Sequence, residues 1–198
     1  MKRKAISILS AFLATLLITS TVFAGAIKFS NVTFSLGTGT SGDSGGLMAM
    51  VASDASSEAS SAPSLIAQGT MTGLGEQDVR VVLEASGLPD VTCTNQGGNQ
   101  SPGQNPPKIS ISGEQLLFGF DLTRKNGKSP FGVETDAPPV LDAVEFGCPN
   151  ENWSARIDFI HWEQATIRVL DLNTGADLAV KNYTCVTTLN NVTCTAVE

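Results

Sequence analysis

Apolar and polar residues alternate along most of the chain with a period of two. Val79, Val81, Leu83 and Ala85 share one side of a run whose other side carries Arg80, Val82 and Glu84. That is the signature of a half-buried strand. Ile27 and Phe29 alternate in the same way, and so do Val32, Phe34 and Leu36, but on the opposite parity. A bulge or break is therefore expected at Ser30-Asn31. Further strands are expected over residues 65–72, 91–94, 108–112 and 115–122, and two more within 153–170. Turn-forming clusters separate them: Gly73-Leu74-Gly75, Gly87-Leu88-Pro89-Asp90, Asn126-Gly127 and Asn173-Thr174-Gly175. No long window carries helical periodicity. About eight to ten short strands at this spacing predict an all-β fold, an immunoglobulin-like antiparallel β-sandwich, with a β-barrel as the alternative.

Two stretches break the pattern. Residues 37–63 are rich in Gly, Ser and Ala and hold no aromatic side chain. They read as a flexible low-complexity insertion between the first two strands, with at most a turn or two of helix over residues 47–57. Residues 95–107 form a long polar connection whose prolines and glycines exclude a central strand.

The first residues change the picture of the whole chain. Met1-Lys2-Arg3-Lys4 is a basic start, residues 5–18 are mostly apolar, and Val22-Phe23-Ala24 supplies a small-residue cleavage pattern. This predicts a signal peptide over residues 1–24, with a second cut site after Ala26. A membrane anchor is disfavoured because Ser10, Thr15, Ser20 and Thr21 interrupt a run of marginal spanning length. Removing 24 of the 198 residues leaves 174, expected to be a single β-sandwich domain over 25–198. The segment takes three basic side chains with it, so 9 basic groups face 19 acidic ones and the charge moves from −7 to −10. That balance argues against nucleic acid as a partner, since phosphate binding needs clustered Lys and Arg. No Cys stands directly after the cut, where Gly25 and Ala26 come next, and the C-terminal residues are polar, so no lipid anchor, retention tail or membrane span is expected in the mature chain. The predicted location is secreted, extracellular or on the exterior of the cell envelope.

Four Cys in an exported chain read as two disulfides, with three connectivities open. Cys185 and Cys194 flank a segment centred on Leu189-Asn190, and a hairpin there would set them opposite each other. That leaves Cys93 with Cys148. A metal site is disfavoured, because no C-x-x-C or nearby His pair exists.

Several segments together carry a resemblance. They are Gly69-Thr70 with Gly73-Leu74-Gly75, Cys93-Thr94-Asn95-Gln96-Gly97-Gly98-Asn99, Pro102-Gly103-Gln104-Asn105-Pro106, and Cys148-Pro149-Asn150-Glu151-Asn152-Trp153. In order and spacing the set resembles an uncharacterised group of small bacterial secreted β-sandwich proteins over residues 65–170. The group usually runs from its first strand straight into Leu-Ile-Ala-x-Gly-Thr, so the 37–63 insertion departs from it. The tail with Cys185 and Cys194 lies outside it. The resemblance implies a bacterial source and a sandwich fold, and it supplies no catalytic residues.

Candidate chemistry is sparse. His161 is the one histidine, and no nucleophile signal accompanies it, so it reads as an ordinary strand residue. Asp171, Asn173 and Asp177 place oxygen ligands at alternate positions and make a weak calcium candidate. Against that, the sixth position is Ala176 and the twelfth Asn182, and Asn173-Thr174-Gly175 suits a hairpin turn better. Trp153, Trp162 and Tyr183 would stack on sugar rings if exposed, but as strand residues they are expected in the core. Residues 124–128 form a small basic tip that reads as solvated. Sequons begin at Asn31, Asn99, Asn152, Asn182 and Asn191, glycan acceptors only in a eukaryotic secretory pathway.

No catalytic residue and no cofactor is expected. The function predicted is a secreted, non-catalytic binding or surface-interaction module for a surface glycan or protein, with residues 95–107 and 37–63 as candidate contacts. The alternatives are a structural or envelope-associated protein and, behind it, a hydrolase.

Overall fold

The computed structural model describes residues 26–37, 63–119, 128–138 and 141–197. The expected signal peptide, nearly all of the 37–63 insertion, and residues 124–127 of the basic tip lie outside the described residues.

Nine strands are formed among the described residues: β1 (Lys28–Leu36), β2 (Leu65–Thr72), β3 (Val79–Asn95), β4 (Gln100–Pro102), β5 (Ile109–Leu117), β6 (Lys128–Glu134), β7 (Trp153–Asp171), β8 (Asp177–Thr188) and β9 (Asn191–Ala196). They make two antiparallel sheets with no closed barrel between them. The smaller runs β1-β2-β6. The larger runs β3-β7-β8-β9, with β5 and β4 sharing the outer edge of β3. No helix occurs among the described residues. The architecture is all-β and sandwich-like.

The larger sheet is built on β3 and β7, paired from Val79↔Asp171 to Asn95↔Trp153. Along β3 every odd residue from Val79 to Cys93 is buried, so one parity faces the core throughout. Fully burying side chains such as Val79, Val81 and Leu83 is worth roughly 1.5–3 kcal/mol each. On β7 the buried set changes parity twice: Ile157, then Ile160 and Trp162, then Ala165, Ile167 and Val169. The register skips Asp158 and Glu163 at those two steps, which makes each a β-bulge. Both bulged residues are acidic and held on the outer face. Asp158 accepts from Thr92 Oγ1 and Arg156 Nε, and Glu163 pairs with Lys108.

Three local expectations are corrected. Residues 153–170 form one strand, because bulges rather than a turn absorb the parity changes. The strands expected over 108–112 and 115–122 meet in one strand, β5 (Ile109–Leu117), which runs unbroken through Gly113, and residues 120–122 lie outside the described residues; that glycine makes room for the β6 backbone, since a Cβ there would overlap the Glu134 carbonyl. Gly87-Leu88-Pro89-Asp90 is not a turn but the middle of β3. A Cβ on Gly87 would overlap the His161 carbonyl, so glycine is what lets β7 approach beside its bulge. Pro89 is tolerated for a different reason. The Val91 carbonyl accepts from Gly103 on the β4 side, so Pro89, two residues earlier, turns its missing N–H to that same edge. There it falls in the gap between β5, which ends at Gly87↔Ile109, and β4, which begins at Thr92↔Pro102.

Elsewhere the expected features are formed. The β1–β2 register shifts between Ser30 and Thr33, with Asn31 at φ 52°. Asn173-Thr174-Gly175 lies in the β7–β8 turn, with Gly175 at φ 71°. Thr188 pairs with Asn191 around Leu189-Asn190. Disulfides join Cys93 to Cys148 (Cα–Cα 5.6 Å) and Cys185 to Cys194 (Cα–Cα 4.0 Å).

Gly87→Ala should destabilise the fold by about 1–3 kcal/mol, the cost of forcing an extra carbon against rigid backbone; a denaturation midpoint unchanged from wild type would refute the close-approach account. Chain-entropy reasoning gives about 4 kcal/mol for the 55-residue Cys93–Cys148 separation and about 2.5 kcal/mol for the 9-residue Cys185–Cys194 separation. Paired Cys→Ala variants compared by urea unfolding should rank in that order.

Candidate functional site

The C-terminal half of β3 ends in a tight turn organised by Asn95. Its Oδ1 accepts the backbone N–H groups of Gly97 and Asn99, each at 2.9 Å, and its carbonyl accepts from Gly98 at 2.9 Å. Gly98 sits at φ 76°, so the Asn-x-Gly-Gly-Asn run is there to make this turn into β4. Beyond β4 the chain folds back on β3, with Gly103 N–H donating to the Val91 carbonyl at 2.8 Å. Asn105 adopts φ 50°, a left-handed conformation that Asn tolerates better than most residues.

A second loop meets this one. Asp142 Oδ1 accepts from the N–H groups of Val144 and Glu145, and Cys148 N–H donates to the Ala143 carbonyl at 2.8 Å. Phe146 is buried here, and Gln104 N–H donates to the Gly147 carbonyl at 3.0 Å. Gly147 lies at φ 81° and a Cβ on it would overlap the Gln104 backbone, so glycine is required for the loops to touch. Asn150 then caps the turn into β7: its Oδ1 accepts from Asn152 N–H, and its carbonyl from Trp153 N–H. Trp153 opens β7 opposite Asn95. Cys93–Cys148 bolts the second loop to the inward face of β3.

The two loops enclose a cleft of about 580 Å³. Ser101, Pro102, Gln104, Asn105, Pro149 and the half-buried Trp153 line it, along with Gly147 and the buried Cys148. None of these side chains is charged. Among the described residues, the side-chain amides of Gln104 and Asn105 are not spent on any protein group.

A second, smaller concavity of about 340 Å³ lies on the outer face of the larger sheet. Its floor is short and hydroxylated, with Ser86, Ser110 and Ser112 beside Gln164, Thr166 and Glu84. Ion pairs stand on either side of it, Lys108–Glu163 and Arg168–Glu84. Arg168 also grips Asp177 through two nitrogens (3.1 and 2.9 Å), and these carboxylates raise its pKa further.

The remaining sequence candidates are dispersed. His161 Nε2 lies 3.0 Å from Asp90 Oδ2 on the outer face, with Phe159 edge-on to its ring; no described hydroxyl or thiol bonds to it. The calcium candidates do different work. Asp171 Oδ1 accepts from the N–H groups of Asn173 and Thr174 and from the Thr174 hydroxyl, which holds its carboxyl below the ordinary aspartate range. Asp177 is committed to Arg168. The trio is a turn and an ion pair. Trp162 is 1% exposed and Tyr183, its hydroxyl pKa raised by burial, packs edge-on against Phe34. The aromatic trio therefore splits, with Trp153 alone reaching a cleft. The sequon residues Asn31, Asn99, Asn152, Asn182 and Asn191 are all exposed, and Asn182 also accepts from the Thr166 hydroxyl through its side chain.

Gln104, Asn105, Pro149 and Trp153 were each visible in the sequence, but nothing local said that they meet. The signal was the spacing of Cys93 and Cys148 taken together with the prolines. No family model, curated protein or solved structure matches the chain.

Because the folded state lowers the Asp171 pKa, its stabilising effect is present above the unfolded-state value, near 4, and fades as pH falls through the lower folded value. Asp171→Asn should therefore melt below wild type at pH 7, and the gap should close as pH drops below that range. An equal gap at every pH would show that the charge is not what holds the turn.

Proposed function

We propose that the mature chain is a secreted, non-catalytic binding module whose contact surface is the loop cluster around Trp153. One observation carries this reading: two chain segments far apart in sequence, residues 101–105 and 147–153, converge on a single cleft, and the Cys93–Cys148 disulfide ties the second of them to β3. Binding sites are commonly loops set on a rigid scaffold, concave, and lined by apolar surface with a few polar groups. The polar groups here are unspent amides, which a ligand can use without displacing a protein partner. Two disulfides suit a protein of an oxidising compartment, and the basic-apolar-small order of residues 1–24 supports export from a bacterial cell. The finer reading of the sandwich as immunoglobulin-like belongs to the same proposal; its support is the two-sheet antiparallel architecture with a core disulfide on a central strand.

A structural or envelope-associated role is the second reading. It draws on Val186 and Leu189, 68% and 79% exposed at the β8–β9 tip, where a second copy could pack. Size-exclusion chromatography separates the two, since binding alone leaves the protein monomeric.

Immobilised mature protein should retain cell-envelope material, and Trp153→Ala should lose most of it. Equal retention by both proteins would remove the cleft from consideration.

A further inference from the structure

We infer that the cleft at Trp153 holds a neutral sugar ring of a surface polysaccharide; this rests on the binding role proposed above and names its ligand class. Trp153, half-buried against the core, lines the cleft together with the exposed Pro102 and Pro149, and aromatic and proline rings are apolar surface of the kind that covers the C–H face of a pyranose. The rim supplies the complement. Each primary amide both donates and accepts, as each sugar hydroxyl does, so Gln104 and Asn105 can serve hydroxyls in either sense.

Charge narrows the class. The lining holds no Lys or Arg to receive a phosphate, sulfate or uronic acid, and no carboxylate to receive an amine. Asp142, Glu145 and Glu151 stand in the same loops, on a chain with 19 acidic and 12 basic side chains. Their field repels anions. A peptide ligand is disfavoured for a separate reason. The nearby strand edge, β4, is three residues long and ends on Pro102, so it is a poor template for an added strand.

The site is also set before any ligand arrives. The Asn95 turn, the Gln104–Gly147 backbone bond and the disulfide fix the rim against the floor, which reduces the ordering cost of binding. The outer-face trough has hydroxyls but no aromatic floor, and it borders the Glu84 carboxylate, so it is the weaker candidate for the same ligand.

The experiment uses the mature chain against immobilised cellohexaose, maltohexaose, chitohexaose and mannohexaose, with polygalacturonate and heparin as acidic counterparts. Hits are then titrated by calorimetry. At least one neutral oligosaccharide should bind and the acidic polymers should not. Trp153→Ala should weaken binding about tenfold or more. Gln104→Ala and Asn105→Gly should each weaken it by about threefold, the scale of one lost hydrogen bond; glycine is chosen at 105 because it keeps the positive φ. Gln104 is exposed, so its variant keeps the question open to test if Trp153→Ala melts early. A sugar bound equally well by all three variants overturns the inference, since the ring then sits elsewhere. Tighter binding of an acidic polymer overturns it as well. If no sugar binds while a protein is retained in a Trp153-dependent manner, the sugar falls and the binding role stands. If nothing is retained in either assay, both fall.

Discussion

The β3–β7 ladder is the constraint on which everything else depends. It is the longest pairing among the described residues, and it gives the larger sheet a spine from Val79–Asp171 to Asn95–Trp153. β3 keeps one parity toward the core along its whole length. β7 can match it only by inserting Asp158 and Glu163, so its apolar residues step by three at Ile157–Ile160 and Trp162–Ala165. A one-residue slip would turn a strand's inward residues outward. Two bulges whose carboxylates are tied to Thr92, Arg156 and Lys108 give the ladder fixed points against such slippage.

That spine also explains where a site can form. Over Val79 to Gly87 the outer edge of β3 is filled by β5, and Gly113 lies against the backbone of β6 where the two sheets meet. Farther along, at Val91 and Cys93, the cover is supplied by loops: Gly103 bonds to one and Cys148 to the other. Loops that close a core must carry prolines, glycines and capping amides to meet their own backbone needs. Here the same residues, Pro102, Gln104, Asn105 and Pro149, line the cleft. Closing the sandwich and shaping the cleft are one structural act in this molecule.

Much of the fold was legible in the alternation of residues 79–85 and in the parity flip at Ser30-Asn31. Period-two burial is a local property, and those segments obey it. The misreadings share one cause. Gly87 and Pro89 look like turn residues and Gly113 like a break between strands, but their roles are set by what lies across the sheet: the His161 backbone, a gap in edge pairing and the Glu134 backbone. Sequence-local reasoning has no access to a neighbour far along the chain. The candidate site was hidden for the same reason, because Trp153 as a strand aromatic reads as core, like Trp162. Only the meeting of residues 101–105 with 147–153 separates the two tryptophans.

The order of the ladder bears on how the chain reaches this structure. At one end Asn95 and Trp153 are moderately separated in sequence; at the other, Val79 and Asp171 are much farther apart. Non-local pairing is slow to nucleate, because chain closure comes before the contacts that reward it. Cys93 and Cys148 sit at the near end, so a sulfur bridge formed early would hold the first rungs together and make each later rung a short step from the last. The ladder would then zip from the cleft toward the β7–β8 turn. A bridge that shapes the mature surface would thus also set the direction of folding.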